Sequence, residues 1–184
     1  LYNNGLIDKK YWKYILQLFD EHITNLQELK NDFFELTVDH HKQQISAKEL
    51  FYILSSGTTK GIILYTSAIQ AIKEGKTFII DEIENHFHKT LVENLIVLFK
   101  DKSVNKKGAT LVFSTHYIEL LDMFNRNDNI WITKYDKKII LSNMYRDYDV
   151  RNDLLKSKKF YDDHFDTAVS YELLMNLKRA LMNE

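Results

Sequence analysis

Thr77-Phe78-Ile79-Ile80-Asp81-Glu82 is a short apolar run that ends in two carboxylates, and Thr110-Leu111-Val112-Phe113-Ser114-Thr115-His116 repeats that layout further along the chain. Continuous apolar runs of this length read as strands of a parallel sheet rather than half-exposed antiparallel ones. Between them Phe87, Leu91, Leu95 and Leu98 recur on one helical face, and the polar stretch Asp101 to Gly108 closes that helix. Strand, helix and strand make a βαβ unit with parallel strands and a right-handed crossover. Ligands of such sheets bind outside the carboxyl ends of the strands. Here Asp81 and Glu82 leave one strand, while Ser114, Thr115 and His116 leave the other. Adjacent strands lie about 5 Å apart, so neighbouring strands would bring these side chains into one small volume.

Upstream, Leu54-Ser55-Ser56-Gly57-Thr58 precedes a segment in which Ile62, Ile63, Leu64, Tyr65, Ala68, Ile69, Ala71 and Ile72 cover most of a helix circumference. A helix that is apolar on several sides is buried, and Gly75 is placed to cap its end. Tyr11, Ile15, Leu18, Leu26 and Leu29, with Trp12, Phe19 and Ile23 beside them, predict an amphipathic helix from Asp8 to Asn31. Phe33 to Lys48 is polar at its centre and reads as a connection. Downstream, a short helix is expected from Tyr117 to Phe124. Ile130-Trp131-Ile132 and Ile139-Ile140-Leu141 predict a hairpin that extends or edges the sheet. Met144 to Phe165 reads as a charged, irregular tail, and Val169, Leu173, Leu174, Leu177 and Leu181 mark a closing helix. The expected organisation is a helical segment and connection over 1–50, an α/β subdomain over 51–143, and the tail and closing helix over 144–184.

Composition narrows the function classes. With 184 residues and 45% hydrophobic content the chain can bury a real core. A net charge of -1 gives no global field for a polyanion, and 21 lysines against 4 arginines say little about DNA contact, since Lys102, Lys106 and Lys107 can simply solvate a loop. The absence of cysteine removes disulfides, thiol nucleophiles and Cys-based zinc sites, and fits a reducing compartment. Apolar runs are too short for a membrane span, and no signal-peptide pattern opens the chain, so a cytoplasmic protein is expected. A first residue Leu1 in place of Met fits a piece of a longer protein.

Each candidate site has a plain structural explanation beside the chemical one. Strands often end in acidic residues because loops are polar, but an apolar strand ending in Asp-Glu can also hold magnesium with Asp81 and orient a water with Glu82. Ser55, Ser56, Gly57 and Thr58 suit a helix cap and a turn, and equally a phosphate cradle built on helix-start amides and hydroxyls.

Taken together, in this order, the three segments resemble a known family. Leu54 to Thr58 is similar to the signature motif of ABC-class ATPases, Phe78 to Glu82 to their Walker B strand, and Leu111 to His116 to their switch-histidine strand. Asp81-Glu82-Ile83-Glu84-Asn85 followed by His88 is closest to the non-transporter branch of overcoming-lysogenization-defect and chromosome-maintenance ATPases. That branch usually has Leu-His-Pro where this chain has Phe87-His88-Lys89. The resemblance runs from Leu50 to Ile132. It implies an α/β fold forming the C-terminal part of an ABC-type P-loop NTPase domain, with ATP and magnesium as cofactors. By the same resemblance Asp81 binds magnesium, Glu82 polarises the attacking water, His116 contacts the γ-phosphate, and Ser56 and Gly57 act in trans on nucleotide held by a second subunit, with Ser55 and Thr58 also counted as nucleotide-binding residues. His86 and His88 fall in the segment that crosses the dimer interface in that family, though exposed loop histidines explain them equally well.

No Gly-x-x-x-x-Gly-Lys-Ser/Thr loop occurs, and Lys60-Gly61 lacks the earlier glycine. In the family that loop lies upstream of the signature, so the chain is expected to be inactive alone and to work as a homodimer or with a missing N-terminal ATPase half. Nucleic acid or an effector protein are the further partners considered, in phage defence or DNA maintenance. Two competing readings remain: a metal-dependent nuclease or phosphoesterase using Asp81, Glu82, His86, His88 and His116, with Asp147-Tyr148-Asp149 as a further site, and a non-catalytic module docking on a partner ATPase.

Overall fold

The computed structural model describes residues 9–85, 87–151, 154–167 and 171–182. They fall into two units, divided between His116 and Tyr117. In the first unit Trp12, Ile15 and Leu16 are buried on helix α1 (Trp12–Phe19), which stops at an extended Asp20. The helix expected as far as Asn31 is therefore cut short, and the connection expected over Phe33 to Lys48 is sheet. Strands β1 (Ile23–Glu28), β2 (Phe33–Val38) and β3 (His41–Ser46) form an antiparallel meander. The cause is turn chemistry. Asn31 and Asp32 both sit at φ 58°, and Asp39 and His40 at 46° and 69°, the left-handed pairs that tight hairpin turns require and that Asn and Asp tolerate best. Phe34 and Leu36 then alternate onto one buried face, with Ile45 paired opposite Phe34. Trp12 stacks on Phe34 at 5.7 Å and meets Phe51 edge-on at 5.8 Å, which closes the meander over α1 and α2 (Ala47–Ile53). A capping box starts α2: Glu49 N–H donates to the Ser46 hydroxyl and Ser46 N–H to the Glu49 carboxylate, an arrangement worth about 1 kcal/mol.

Helix α3 (Ser56–Glu74) buries Ile62, Tyr65, Ala68, Ala71 and Ile72, as its apolar circumference predicts. It can approach α1 closely because Gly61 has no side chain: a Cβ there would fall inside the Phe19 ring. The Tyr65 hydroxyl donates to the Leu91 carbonyl at 2.6 Å, and burial pushes its phenol well above the ordinary tyrosine range. Gly75 caps α3 at φ 70°, with its own amide and that of Lys76 donating to Ile72 and Ala71. The chain then enters β4 (Thr77–Ile80), crosses through α4 (Lys89–Lys100) and returns as β5 (Thr110–Phe113). These two strands pair in parallel, Ile79 opposite Val112 and Ile80 opposite Phe113. Phe78 stacks on Phe99 of α4 at 6.4 Å. Among the described residues β4 and β5 pair only with each other. Their other face is open, with Ile79 73% and Val112 48% exposed.

The second unit begins with a 3-10 turn, Ile118–Met123, where a short helix was expected. Strands β6 (Trp131–Asp136) and β7 (Lys138–Asn143) make the expected hairpin, with Lys137 at φ 58° in the turn. Among the described residues it forms a separate two-stranded sheet, where an extension or edge of the β4–β5 sheet was expected. Ile130 and Ile132 join Met144, Val150 and Phe165 in a local core flanked by Leu121, Phe124, Tyr148 and Phe160. The tail expected to be irregular thus supplies core residues and two short helices, α5 (Met144–Asp147) and α6 (Lys156–Tyr161). Asp122 accepts from the amides of Lys156 (2.6 Å) and Ser157 (3.0 Å) and from the Ser157 hydroxyl, which fixes the start of α6. The closing helix α7 (Tyr171–Met182) is present, with Leu173, Leu174, Leu177 and Leu181 all exposed; Val169 lies outside the described residues.

Candidate functional site

The carboxyl ends of β4 and β5 are tied together at Ser114. Its amide donates to the Ile80 carbonyl at 3.1 Å, and its carbonyl accepts from Ile83 N–H at 3.0 Å. Its hydroxyl donates to Asp81 Oδ1 at 2.5 Å and accepts from Glu82 N–H at 2.7 Å. Glu82 holds a left-handed φ of 47°, a conformation that costs a non-glycine residue on the order of 1 kcal/mol and persists only where the surroundings impose it. Ile83 supplies the other constraint. It is 1% exposed and anchors the turn, so that Glu82 and Glu84 leave on either side of it.

Glu82 Oε1 lies 3.8 Å from His116 Nε2. Their side chains are 54% and 84% exposed, so solvent screens the pair and its significance is placement rather than stability. The His116 main chain is set by Glu84, whose Oε1 accepts from His116 N–H at 2.6 Å. Burial opposes the charge of Glu84, but hydrogen bonds from the Thr115 hydroxyl and the His116 amide outweigh it and hold this carboxyl below the usual glutamate range. Its Oε2 is buried without a hydrogen-bond partner among the described residues. Asp81, Glu82 and His116 therefore share one edge, although Asp81 and His116 are far apart in sequence.

Ser55 to Thr58 belong to a different element, the start of α3. Ser55 is the N-cap of α3, accepting from Thr58 N–H at 3.0 Å, with the Thr58 hydroxyl 2.8 Å from its own. The cap explanation is thus realised in full for Ser55 and Thr58. Ser56 and Gly57 occupy the first turn, where helix amides have no intrahelical acceptor. Among the described residues no hydrogen bond or ion pair joins Ser55, Ser56, Gly57 or Thr58 to Asp81, Glu82 or His116.

The donor set suits a hard divalent cation. Asp81 presents carboxylate oxygen at a strand end with one oxygen already held by Ser114. Magnesium is ordinarily bound through one or two carboxylates plus phosphates and water, not by an all-protein cage. A cage is also what the geometry lacks: among the described residues no three His, Asp or Glu side chains gather around a common point. His88 caps α4, its Nδ1 accepting from Thr90 N–H at 3.4 Å, and His86 lies outside the described residues. Asp147 accepts from Asn143 N–H at 2.7 Å and pairs with Arg146. Sequence reasoning placed Ser114 at the strand end without giving it a role, and gave Glu84 none beyond its place in the acidic motif. The signal available was their position, each two residues from a chosen residue, His116 or Glu82.

A βαβ unit that presents an Asp-Glu pair and a Ser-Thr-His run at adjacent parallel strand ends, with a long buried helix before it, is a mixed α/β arrangement compatible with a P-loop NTPase-like fold. Residues 3–122 match the family described as "AAA domain, putative AbiEii toxin, Type IV TA system", and the chain belongs to that family of ATPase-like AAA domains. A comparison with curated proteins found no match. Among the described residues no helix is long and apolar enough to cross a membrane.

Proposed function

We propose that this chain is the C-terminal part of an ABC-type ATP-binding and hydrolysing domain of the non-transporter branch, acting as an ATP-dependent dimer. The observation that carries this reading is the single edge shared by Asp81, Glu82, Ser114 and His116. Two further features support it. The chain has no glycine-rich phosphate loop. Among the described residues the parallel pair β4–β5 has no further strand on either edge and leaves Ile79 and Val112 exposed, whereas parallel sheets are normally larger and covered on both sides. Both fit a domain whose remaining strands and phosphate loop come from a missing N-terminal half.

In this reading Asp81 would hold magnesium through its carboxylate, and Glu82 would accept a hydrogen bond from the water and orient it. His116 meets the outermost phosphate from the adjacent strand end. Bound magnesium-ATP supplies the phosphoanhydride and a cation that offsets phosphate charge. The first-turn amides of Ser56 and Gly57, with the hydroxyls of Ser55 and Thr58 shaping that turn, close over the nucleotide of the opposite copy. The family description points the biological role towards abortive-infection or toxin–antitoxin defence, with DNA maintenance as the setting suggested by the resemblance.

The test is Glu82→Gln in the full-length protein. Loss of the water-orienting carboxylate should lower hydrolysis by about 10²–10⁴-fold. Nucleotide binding survives, since Asp81 is untouched, and an ATP-stabilised dimer accumulates on a sizing column. Turnover retained at the wild-type rate would place the base elsewhere.

A further inference from the structure

Asp81 and Glu82 belong to one loop, yet what fixes them comes from the other strand. A carboxylate at an exposed strand end is free to rotate about two side-chain bonds, and Glu82 sits in a backbone conformation that its own side chain disfavours. Ser114 meets both needs with one hydroxyl. Its single proton can serve one acceptor, and Glu82 N–H already occupies the acceptor side of the oxygen. The proton goes to Asp81 Oδ1, so one hydroxyl ties one oxygen of the Asp81 carboxylate to the Glu82 main chain. The two main-chain bonds of Ser114, to Ile80 and Ile83, bracket the same segment and hold the hydroxyl in register with it.

We propose that Ser114 is the positioning residue of the acid pair: its hydroxyl orients the Asp81 carboxylate for magnesium and locks Glu82 in its left-handed conformation. This rests on reading Asp81 as the magnesium carboxylate. Ser114 is exposed; threonine keeps the hydroxyl and adds a methyl, while alanine removes the hydroxyl alone. Cysteine keeps the side-chain shape with a somewhat larger atom but is a weak donor and acceptor.

The experiment uses the full-length protein and titrates magnesium at saturating ATP, following hydrolysis, with manganese binding to the ATP-bound Glu82→Gln protein read by electron paramagnetic resonance. Ser114→Ala should raise the magnesium concentration for half-maximal hydrolysis at least tenfold and weaken manganese binding in parallel. Ser114→Thr should restore most of the wild-type metal dependence. A purely structural role would lower the active fraction without moving the metal dependence. If Ser114→Ala does not fold, Ser114→Cys carries the test, with a metal requirement raised at least threefold. Wild-type metal dependence in the alanine or cysteine protein, or a threonine protein as defective as alanine, overturns the assignment. A wild-type protein that neither binds nor hydrolyses magnesium-ATP would instead overturn the functional reading, and the role of Ser114 with it.

Discussion

Gly61→Ala tests the packing that orients α3 and hence the Ser55–Thr58 turn at its start. In an exposed helix this change stabilises by about 1 kcal/mol, because glycine is the poorer helix former. Here the added Cβ would fall within the Phe19 ring, against its Cζ and both Cε atoms. Phe19 cannot swing away freely, since its ring meets Tyr65 and Phe87 edge-on, each at 6.0 Å between centroids. Overpacking of this kind costs about 1–3 kcal/mol, so after the helix gain the net effect is a loss of up to about 2 kcal/mol. Urea denaturation should show a lower midpoint with an unchanged slope. In a Phe19→Ala background the obstacle is gone, and Gly61→Ala should turn favourable by about 1 kcal/mol. A stabilised single variant, or the same destabilisation with and without the Phe19 ring, would refute the close approach of α1 and α3.

Acid should weaken both units. Glu84 and Asp122 have carboxyls held below their ordinary ranges: burial opposes the charge in each, and hydrogen bonds from Thr115 and His116, or from Ser157 and Lys156, outweigh it. Unfolded, such groups take up a proton near pH 4, so the unfolded chain binds more protons there and stability falls as pH drops through that value towards the lower folded ones. Urea midpoints measured at pH 7, 5 and 3.5 should fall over the last interval, and Glu84→Gln or Asp122→Asn should flatten that dependence; equal slopes in variants and wild type would remove these residues from the cause.

The βαβ unit was legible because its signals are local. Apolar runs, the glycine after α3 and the apolar periodicity from Leu91 to Leu98 each speak for themselves, although α4 starts after Phe87 and its buried face is Val92, Leu95 and Ile96, with Leu95 alone shared with the expected stripe. The polar ends of the strands were legible for the same reason, given that parallel sheets present their carboxyl ends to ligands. The meander was not, because Ile23, Leu26 and Leu29 fall at helical spacing and β3 offers Ile45 as its one buried apolar residue. The turn pairs Asn31-Asp32 and Asp39-His40 held the contrary information. The tail misled differently: Val150, Phe160 and Phe165 are isolated among charges, and only contacts made across the chain reveal them as core. The same distinction applies at the site, where Ser114 and Glu84 act across more than thirty residues of intervening chain, a relation that spacing does not encode.

The most direct test of a composite nucleotide site is mixing two inactive full-length variants. Gly57→Arg should block dimerisation and turnover by placing a bulky cation at the α3 turn, and Glu82→Gln should stop hydrolysis. A heterodimer of the two retains one site with an intact acid pair facing an intact turn. Each heterodimer carries one working site of two, so heterodimers isolated from the mixture should show up to about half the wild-type activity per dimer, where either variant alone shows almost none. Heterodimers that form and remain inactive would contradict a site shared between two copies and leave Ser55 to Thr58 as a helix cap alone.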